Sequence, residues 1–556
     1  MRKADKILIN GKIYSVLADD TVVRGTAVAV QDGKILKVGT DEDVKSYASE
    51  NTEIIDCKGN TILPGMCDAH CHPSIACASI DGVDLFGVYR EDDQSADDVI
   101  EIYKERLREF VMANPDKDFI RGAGWVVANF SEKRWPNRHD LDEICPDIPV
   151  VLESFCQHNL WVNTKALEMG NLDANTPDVE TGEIVREEDH YPSGLFRDAA
   201  AMFTAKSSIK GYNIPVEECK KLFLRYQDEY ASRYGVTMIT DCMLSDEAVE
   251  AYKQLAEEGK MNVRMRTVHL MTPESCTEQI LEYIKNKGNW NVGEDFRIDT
   301  IKVFAEGAFS MLEPYADAYC EAAGLPKGYN GDLFYDDETL TDCASEAMKA
   351  GFSVHIHAMG DKAVVQSAKC LAAAQEKAGM DNTRSVIAHL MLVPDETARL
   401  MGKANIIANV QPRWMLREDD VQAVVEFAGE KGEESYPFRK LVDAGCVWAA
   451  GTDFPVTPPP SAMHEIHCWM NRSCFPDGPE WDKYQGRVLG NEKPATLAEA
   501  IKGLTWGGAY QMRMEDYAGT IEEGKSADLV VLDRDIENTP KEEIYSIDIA
   551  KNNFQG

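Results

Sequence analysis

The chain has 556 residues, with 58 Lys and Arg against 95 Asp and Glu, so its formal net charge is −37. This charge argues against nucleic acid and an anionic membrane surface as partners, because both require a basic face. No run approaches the ~18 apolar residues of a membrane helix, and the N-terminus lacks the apolar core of a signal peptide. We therefore expect a cytoplasmic protein whose 15 cysteines are reduced.

Both ends of the chain predict β-structure. Residues 6–60 alternate apolar and polar positions, and residues 519–533 return to the same pattern. Three turn pairs separate the first runs: Asn10-Gly11, Asp32-Gly33 and Lys58-Gly59. A sheet of this size needs a packing partner. We expect residues 1–60 and 511–556 to combine into one small composite β-sandwich.

Residues 61–510 alternate short β-branched runs with helical patterns, which is typical of α/β proteins. Eight strands are predicted, at 61–67, 235–241, 262–270, 299–305, 352–357, 385–389, 405–411 and 446–453. Eight β/α units build a TIM barrel. The clearest helix follows the fifth strand, with Asp361 as its predicted cap and Gly379 as its predicted end.

Residues 75–215 form a long insertion after the first predicted strand, with strands and helices of their own. Active sites of TIM barrels lie at the C-terminal face of the strands. The insertion is therefore expected beside the chemistry, as a lid or substrate wall. A peripheral subdomain is the alternative.

Metal-binding residue types end several predicted strands. His70 and His72 are two positions apart, so on a strand both imidazoles project from one face. His357 and His389 end the fifth and sixth strands, and Asp453 ends the eighth. Strand ends converge above a barrel. We predict one metal on the first two histidines and Asp453, and a second on His357 and His389.

Lys302 lies inside the fourth strand, between the apolar residues Ile301 and Val303. A protonated amine beside two divalent cations is unfavourable, and burial lowers the pKa of lysine. The neutral amine can take up CO₂ as a carbamate, which can bridge two metals. A surface lysine is the alternative.

These motifs together resemble the amidohydrolase superfamily, specifically its amidohydrolase-3, YtcJ-like branch. The segments that carry the resemblance are PGMCDAHCHP (64–73), RHDLDEICPDIPVVLESFCQHNLWVNTKAL (138–167), IKVFAEG (301–307), HIHAMGDKA (355–363), IAHL (387–390), GTDFPV (451–456) and AGTIEEGKSADLVVLD (518–533). The resemblance implies a distorted (β/α)₈ barrel, a β-sandwich built from both chain ends, divalent metal and hydrolysis, usually of C–N bonds.

By matching position, the resemblance assigns Asp453 as the catalytic acid and base. It also implies a complete set of metal residues: His70, His72, Lys302 as carbamate, His357, His389 and Asp453. His355 competes with His357, but the spacing to Gly360 favours His357. Deaminase relatives would carry a glutamate at the position of Gly360, so the pattern disfavours deamination.

Four residues are predicted to contact the substrate. His158 lies where the insertion of the family approaches the site, and Gln411, Arg413 and Trp414 follow the seventh strand. Arg413 could bind a carboxylate by its guanidinium fork, with a structural salt bridge as the alternative.

The sequence thus predicts a hydrolase of an amide, N-acyl or cyclic amide bond in a small molecule. The expected cofactor is one or two divalent ions, with zinc favoured. Alternatives are other metal-barrel chemistry (deamination, ester hydrolysis or decarboxylation) and a non-enzymatic, metal-binding regulatory protein. A homodimer is the ordinary expectation for an enzyme of this size.

Overall fold

The computed structural model describes residues 2–91, 93–130, 134–179, 182–307, 309–323, 325–457, 459–476, 478 and 481–552. Its centre is a parallel sheet of eight strands, each paired with the next along the chain. These barrel strands 1 to 8 are Met66–Cys71, Val236–Asp241, Arg264–Leu270, Phe296–Phe304, Ser353–Ala358, Val386–His389, Ile407–Val410 and Trp448–Ala450.

The first and last barrel strands approach each other at their C-terminal ends. The carbonyl of His70 accepts from the N–H of Asp453 at 2.8 Å, and the carbonyl of Phe454 accepts from the N–H of His72 at 2.7 Å. A side chain at Gly451 would place its Cβ 2.5 Å from the backbone nitrogen of His70, so this approach requires glycine. The near-closed sheet confirms the predicted TIM-like barrel.

Helices alternate with the barrel strands, and amphipathic patterns orient their apolar faces inward. They include Pro73–Ile80, Val216–Tyr226, Asp246–Glu257, Cys276–Asn286, Asp337–Lys349, Asp361–Ala378, Asp395–Lys403, Asp419–Ala428, Phe438–Asp443, Ala462–Asn471 and Leu497–Lys502. Gly379 ends the helix after strand 5 with φ of 70°, as predicted. The predicted cap was wrong, because Gly360 is the N-cap and the Asp361 side chain instead accepts from the N–H of Leu312.

Both chain ends build a β-sandwich of two four-stranded sheets, as predicted. In spatial order these are Lys34–Gly39, Ala27–Gln31, Lys6–Ile9 and Glu53–Asp56, then Lys12–Ile13, Thr61–Pro64, Leu529–Leu532 and Ile549–Asn552. The prediction of 61–67 as a barrel strand was wrong. Thr61–Pro64 belongs to the sandwich, and Gly65 separates it from barrel strand 1. The residues from Thr61 to Cys71 therefore form two consecutive strands, the first in the sandwich and the second in the barrel.

The predicted turn pairs have two different roles. Asp32 and Gly33 both have positive φ and join two antiparallel neighbours as a hairpin. Asn10, with φ of 52°, instead sends the chain from one sheet of the sandwich to the other. Lys58 and Gly59 make a similar crossing.

The insertion after barrel strand 1 contains a six-stranded sheet and a long helix. The strands are, in spatial order, Val83–Asp84, Ile120–Trp125, Val150–Ser154, Asn159–Val162, Pro192–Arg197 and Glu183–Arg186. Helix Ala96–Ala113 packs on one face, around an apolar core that includes Trp125 and Trp161. Among the described residues, no helix is both long and apolar enough to cross a membrane.

Candidate metal centre

The six predicted metal residues meet at the C-terminal end of the barrel. None has more than 7% of its surface exposed: His70, His72, Lys302, His357, His389 and Asp453. They come from five barrel strands and the residues just beyond them, which explains why residues nearly 400 positions apart converge.

The half of this cluster near barrel strands 1, 4 and 8 is joined by direct contacts. Oδ1 of Asp453 lies 3.0 Å from Nε2 of His72 and 3.4 Å from Nε2 of His70. The same His70 nitrogen lies 3.3 Å from Nζ of Lys302. One imidazole nitrogen thus faces both the carboxylate and the amine.

The other half is formed by His357 and His389, whose ring centroids are 4.5 Å apart. The ring of His389 also lies 4.8 Å from that of His70, which links the two halves. His389 has φ of 78°, in the left-handed region that side chains rarely adopt. Such local strain is typical of functional sites.

Burial sets the protonation of the cluster. It lowers the pKa values of His70 and His357 well below the ordinary histidine value, and neighbouring cations lower them further. Burial lowers the pKa of His389 to about 4. The imidazoles are therefore neutral at pH 7, which is the form that binds metals.

The pKa values of Lys302 and Asp453 are both shifted in directions that suit a cation site. Burial lowers the pKa of Lys302, although Cys242 and Asp453 partly oppose the shift. Burial alone would raise the pKa of Asp453, but its contact with His72 holds the pKa below the ordinary value. A carboxylate and four imidazoles form a donor set that zinc accepts.

Two ring nitrogens in the cluster have no hydrogen-bond partner among the described residues. They are Nδ1 of His72 and Nε2 of His357, and both are buried. A buried polar atom without a partner costs free energy. The unpaired nitrogen of His357 in particular fits a metal ligand.

Sequence reasoning treated His355 only as a competitor of His357 and did not name Cys242, although both are neighbours of His70. Nε2 of His355 lies 2.9 Å from Nδ1 of His70, so His355 orients that ring from behind. Candidate ligand atoms of His70, Cys242 and His355 lie within 4.8 Å of one another, as do those of His70, His389 and Asp453. Cys242 directly follows barrel strand 2, and this position was the available signal.

Gln411 and Trp414 both contact His389. Oε1 of Gln411 lies 2.9 Å from Nδ1 of His389, and the Trp414 ring stacks on the imidazole at 5.3 Å. The amide nitrogen of Gln411 donates to Oδ1 of Asn409 at 3.0 Å. Because both of its polar atoms are engaged, Gln411 fits a support for His389 better than the predicted substrate contact.

His158 and Arg413 have different surroundings. The ring of His158 lies 5.4 Å from that of His357, so the insertion reaches the metal centre there. The guanidinium of Arg413 lies over Phe475 and 3.8 Å from Glu418. It is 6% exposed, so the structure favours the salt-bridge alternative for this residue.

Glu306 is a further buried carboxyl beside the centre. Its Oε1 accepts from the N–H groups of Met359 and Gly360, at 2.5 and 2.9 Å. Burial raises its pKa to about 7. It fixes the turn that follows His357.

Comparison with known proteins identifies the family of the chain. A family model described as the amidohydrolase family, Amidohydro_3, matches residues 53–552. The chain belongs to this family. It is a metal-dependent hydrolase acting on C–N bonds other than peptide bonds, which confirms the predicted class.

Relatives match over almost the whole chain. The amidohydrolase YtcJ of Bacillus subtilis is 26% identical, over 98% of this chain and 97% of the relative. An N-substituted formamide deformylase of Arthrobacter pascens is 24% identical, over 99% and 97%. The crystal structure of an uncharacterized metal-dependent hydrolase from Pyrococcus horikoshii has a TM-score of 0.74 and 25% identity, and covers 96% of this chain and 99% of that one.

Proposed function

We propose that this amidohydrolase cleaves the amide bond of a small N-acyl compound, with Asp453 as acid and base. The observation that carries the proposal is the position of the Asp453 carboxylate, between His70 and His72 and facing the His389 side of the cluster. A similar protein, the deformylase of Arthrobacter pascens, is named for acting on N-substituted formamides. That name supports an N-acyl substrate here.

The proposed metal ligands are the four cluster histidines, Asp453 and a carbamate on Lys302. A divalent metal bound here supplies an acidified water and an electrophile for the scissile carbonyl. The neutral amine of Lys302 adds to CO₂ and releases a proton, which turns the neutral side chain into a carbamate anion. The low pKa of Lys302 and its contact with His70 support this modification.

The protein residues have separate tasks in the proposed reaction. Asp453 accepts the proton of the attacking water and delivers it to the leaving nitrogen. Its pKa below the ordinary value keeps it ionised for the first step. Gln411 and Trp414 hold the ring of His389, and the insertion around His158 shields the site from water.

Zinc is the proposed metal, since the donors are imidazole nitrogens and carboxylate oxygens. We also propose a cytoplasmic location. All 15 cysteines lie in described residues and none forms a disulfide, which supports a reducing compartment. A homodimer stays a prediction.

The proposal is tested by amine release from N-formyl and N-acetyl alkylamines, with zinc-loaded protein and with chelated protein. Release should require metal and vanish in Asp453→Asn. The matched control is Asp395→Asn, which changes an aspartate paired with Lys440 at the surface. Release of ammonia from aminopurines, or of acid from esters, without any amide cleavage would contradict it.

A further inference from the structure

A cavity of about 280 Å³ lies between the sheet of the insertion and the rim of the barrel. On the insertion side it is lined by Arg121, Ala123, Val151 and Glu153. In the parallel ladder Arg121 pairs with Val151, and Ala123 pairs with Glu153. The four side chains therefore share one face of the sheet, the face opposite to helix Ala96–Ala113.

On the barrel side the cavity is lined by residues that lie close to the metal centre in sequence or strand register. Ser74 is two residues beyond His72, and Met243 directly follows Cys242. Leu270, at the end of barrel strand 3, is the register partner of Lys302. The cavity wall thus continues barrel strands 1, 2 and 3, of which strand 1 carries His70.

One acidic group in the cavity is already neutralised. Nζ of Lys206 donates to Glu153 at 2.8 Å, and the hydroxyl of Tyr212 donates to its other oxygen. Lys206 and Glu153 are 7% and 5% exposed. A buried pair of this kind contributes no net charge for a ligand.

Arg121 is the remaining charged residue of the lining, with Glu218 and Asp81 within electrostatic range but not paired with it. Its Nε donates to the carbonyl of Tyr212 at 2.9 Å, and Nη2 donates to the carbonyls of Gly211 and Asn213. These bonds fix the guanidinium plane. Within the described ranges Arg121 forms no ion pair, and its Nη1 donates to no protein acceptor.

The rest of the wall is largely apolar, with Ile75, Ala123, Val151, Ile214, Met243 and Leu244. An apolar channel with one oriented guanidinium is complementary to an aliphatic chain that ends in a carboxylate. Arg121 gives the cavity a positive charge, whereas the whole chain has a net charge of −37. It would attract an anion that the rest of the surface repels.

We propose that this cavity holds the distal part of the substrate, and that this part is a short aliphatic chain ending in a carboxylate paired with Arg121. The inference rests on the proposed amide hydrolysis, and it adds that the substrate is an N-acyl compound carrying an acid remote from the scissile bond.

The first test measures binding of hexanoate to zinc-loaded protein by calorimetry. Arg121→Met keeps an unbranched aliphatic side chain and removes the guanidinium, which lies over the Phe119 ring. Loss of a hydrogen-bonded charge pair should weaken hexanoate binding about 10- to 100-fold. The matched control is Arg108→Met, on the exposed side of helix Ala96–Ala113, which should not change it. Hexan-1-ol should bind at least tenfold more weakly than hexanoate.

Equal hexanoate affinity in wild type and Arg121→Met would overturn the proposal, since it would place the carboxylate on the metal instead. Ala123→Leu provides a second variant, because it fills the cavity and leaves every charge in place. It should weaken hexanoate binding, and retained affinity would count against the cavity.

The second test compares hydrolysis of N-acetyl-6-aminohexanoate with that of N-acetylhexylamine. The acid should have the higher kcat/KM, and Arg121→Met should abolish the preference mainly through KM. Hexanoate should inhibit competitively, and non-competitive inhibition would overturn the assignment to the substrate. If neither compound is cleaved but hexanoate still binds through Arg121, the proposed amide hydrolysis would be contradicted. The assignment of the cavity as a carboxylate-binding site would then stand without it.

Discussion

The two halves of the metal centre obtain their geometry in different ways. His70, His72, Lys302 and Asp453 are linked by direct contacts, and the backbones around His70, His72 and Asp453 are hydrogen-bonded at the closure of the barrel. His389 is instead held from outside the cluster by a glutamine and a tryptophan, and His357 keeps an unpaired nitrogen.

The two halves should therefore respond differently to amino-acid substitutions. In the first half, any change removes a member of the contact network itself. In the second half, the position of His389 depends on residues that would touch neither metal nor substrate. Substitutions in the two halves should therefore differ in size and in what they change.

The largest effect is expected from Asp453→Asn, which keeps the shape but cannot take the proton of water. Amine release should fall about 10²- to 10⁴-fold, because general acid–base catalysis typically contributes a factor of this size. Metal content, measured by elemental analysis, should stay near the wild-type value. Loss of metal along with activity would make Asp453 a ligand only.

Next in size is Lys302→Ala. We expect metal content to fall toward half of the wild-type value, with a large loss of amine release, because no bridging anion can form. Wild-type activity should rise with added bicarbonate, and the variant should not respond. Full activity of Lys302→Ala without added bicarbonate would show that catalysis does not require a carbamate on Lys302.

A smaller effect is expected from Gln411→Leu, which removes the partner of His389 Nδ1. Loss of such an outer partner typically costs about 10- to 100-fold in metal affinity or activity. Competition with a chelator measures the affinity. Gln485→Leu, an exposed glutamine, serves as the control. Equal metal affinity in the two variants would mean that His389 needs no outside support.

The smallest effect concerns Glu465, whose carboxyl group accepts from the N–H of Arg413 and anchors the turn carrying Trp414. Burial raises its pKa to about 8. The folded state therefore holds a proton that the unfolded state releases near pH 4.5, so this contribution to stability is lost as pH rises toward 8.

In Glu465→Gln that loss should disappear. The difference in free energy of unfolding between variant and wild type should shift in favour of the variant between pH 5 and pH 8, by roughly 1–3 kcal/mol. Urea unfolding at several pH values measures this difference. A pH-independent difference would mean that Glu465 is ionised in the folded protein.

The strand ends were predictable because side-chain chemistry and strand position coincide in the sequence. His70, His72 and Asp453 lie at the ends of apolar runs and Lys302 lies within one; such runs predict buried strands, and a barrel brings the strand ends together. The boundary at Thr61–Pro64 was not predictable, because one apolar run feeds two sheets and only Gly65 marks the change.

The roles of the residues around the metal cluster were harder to predict from the sequence. The role of Gln411 depends on the side-chain direction of a residue just beyond a strand, and Arg413 was a candidate for carboxylate binding until its contacts with Phe475 and Glu418 were known. The cavity at Arg121 depends on packing between the sheet of the insertion and the barrel. Local sequence patterns do not predict such packing.

Metal content per chain tests the central claim most directly. Protein purified without chelator and supplied with zinc and bicarbonate should hold about two ions per chain by elemental analysis, and His70→Ala and His357→Ala should each hold fewer. No bound metal after reloading, or unchanged content in both variants, would contradict the assignment of this cluster as the metal centre.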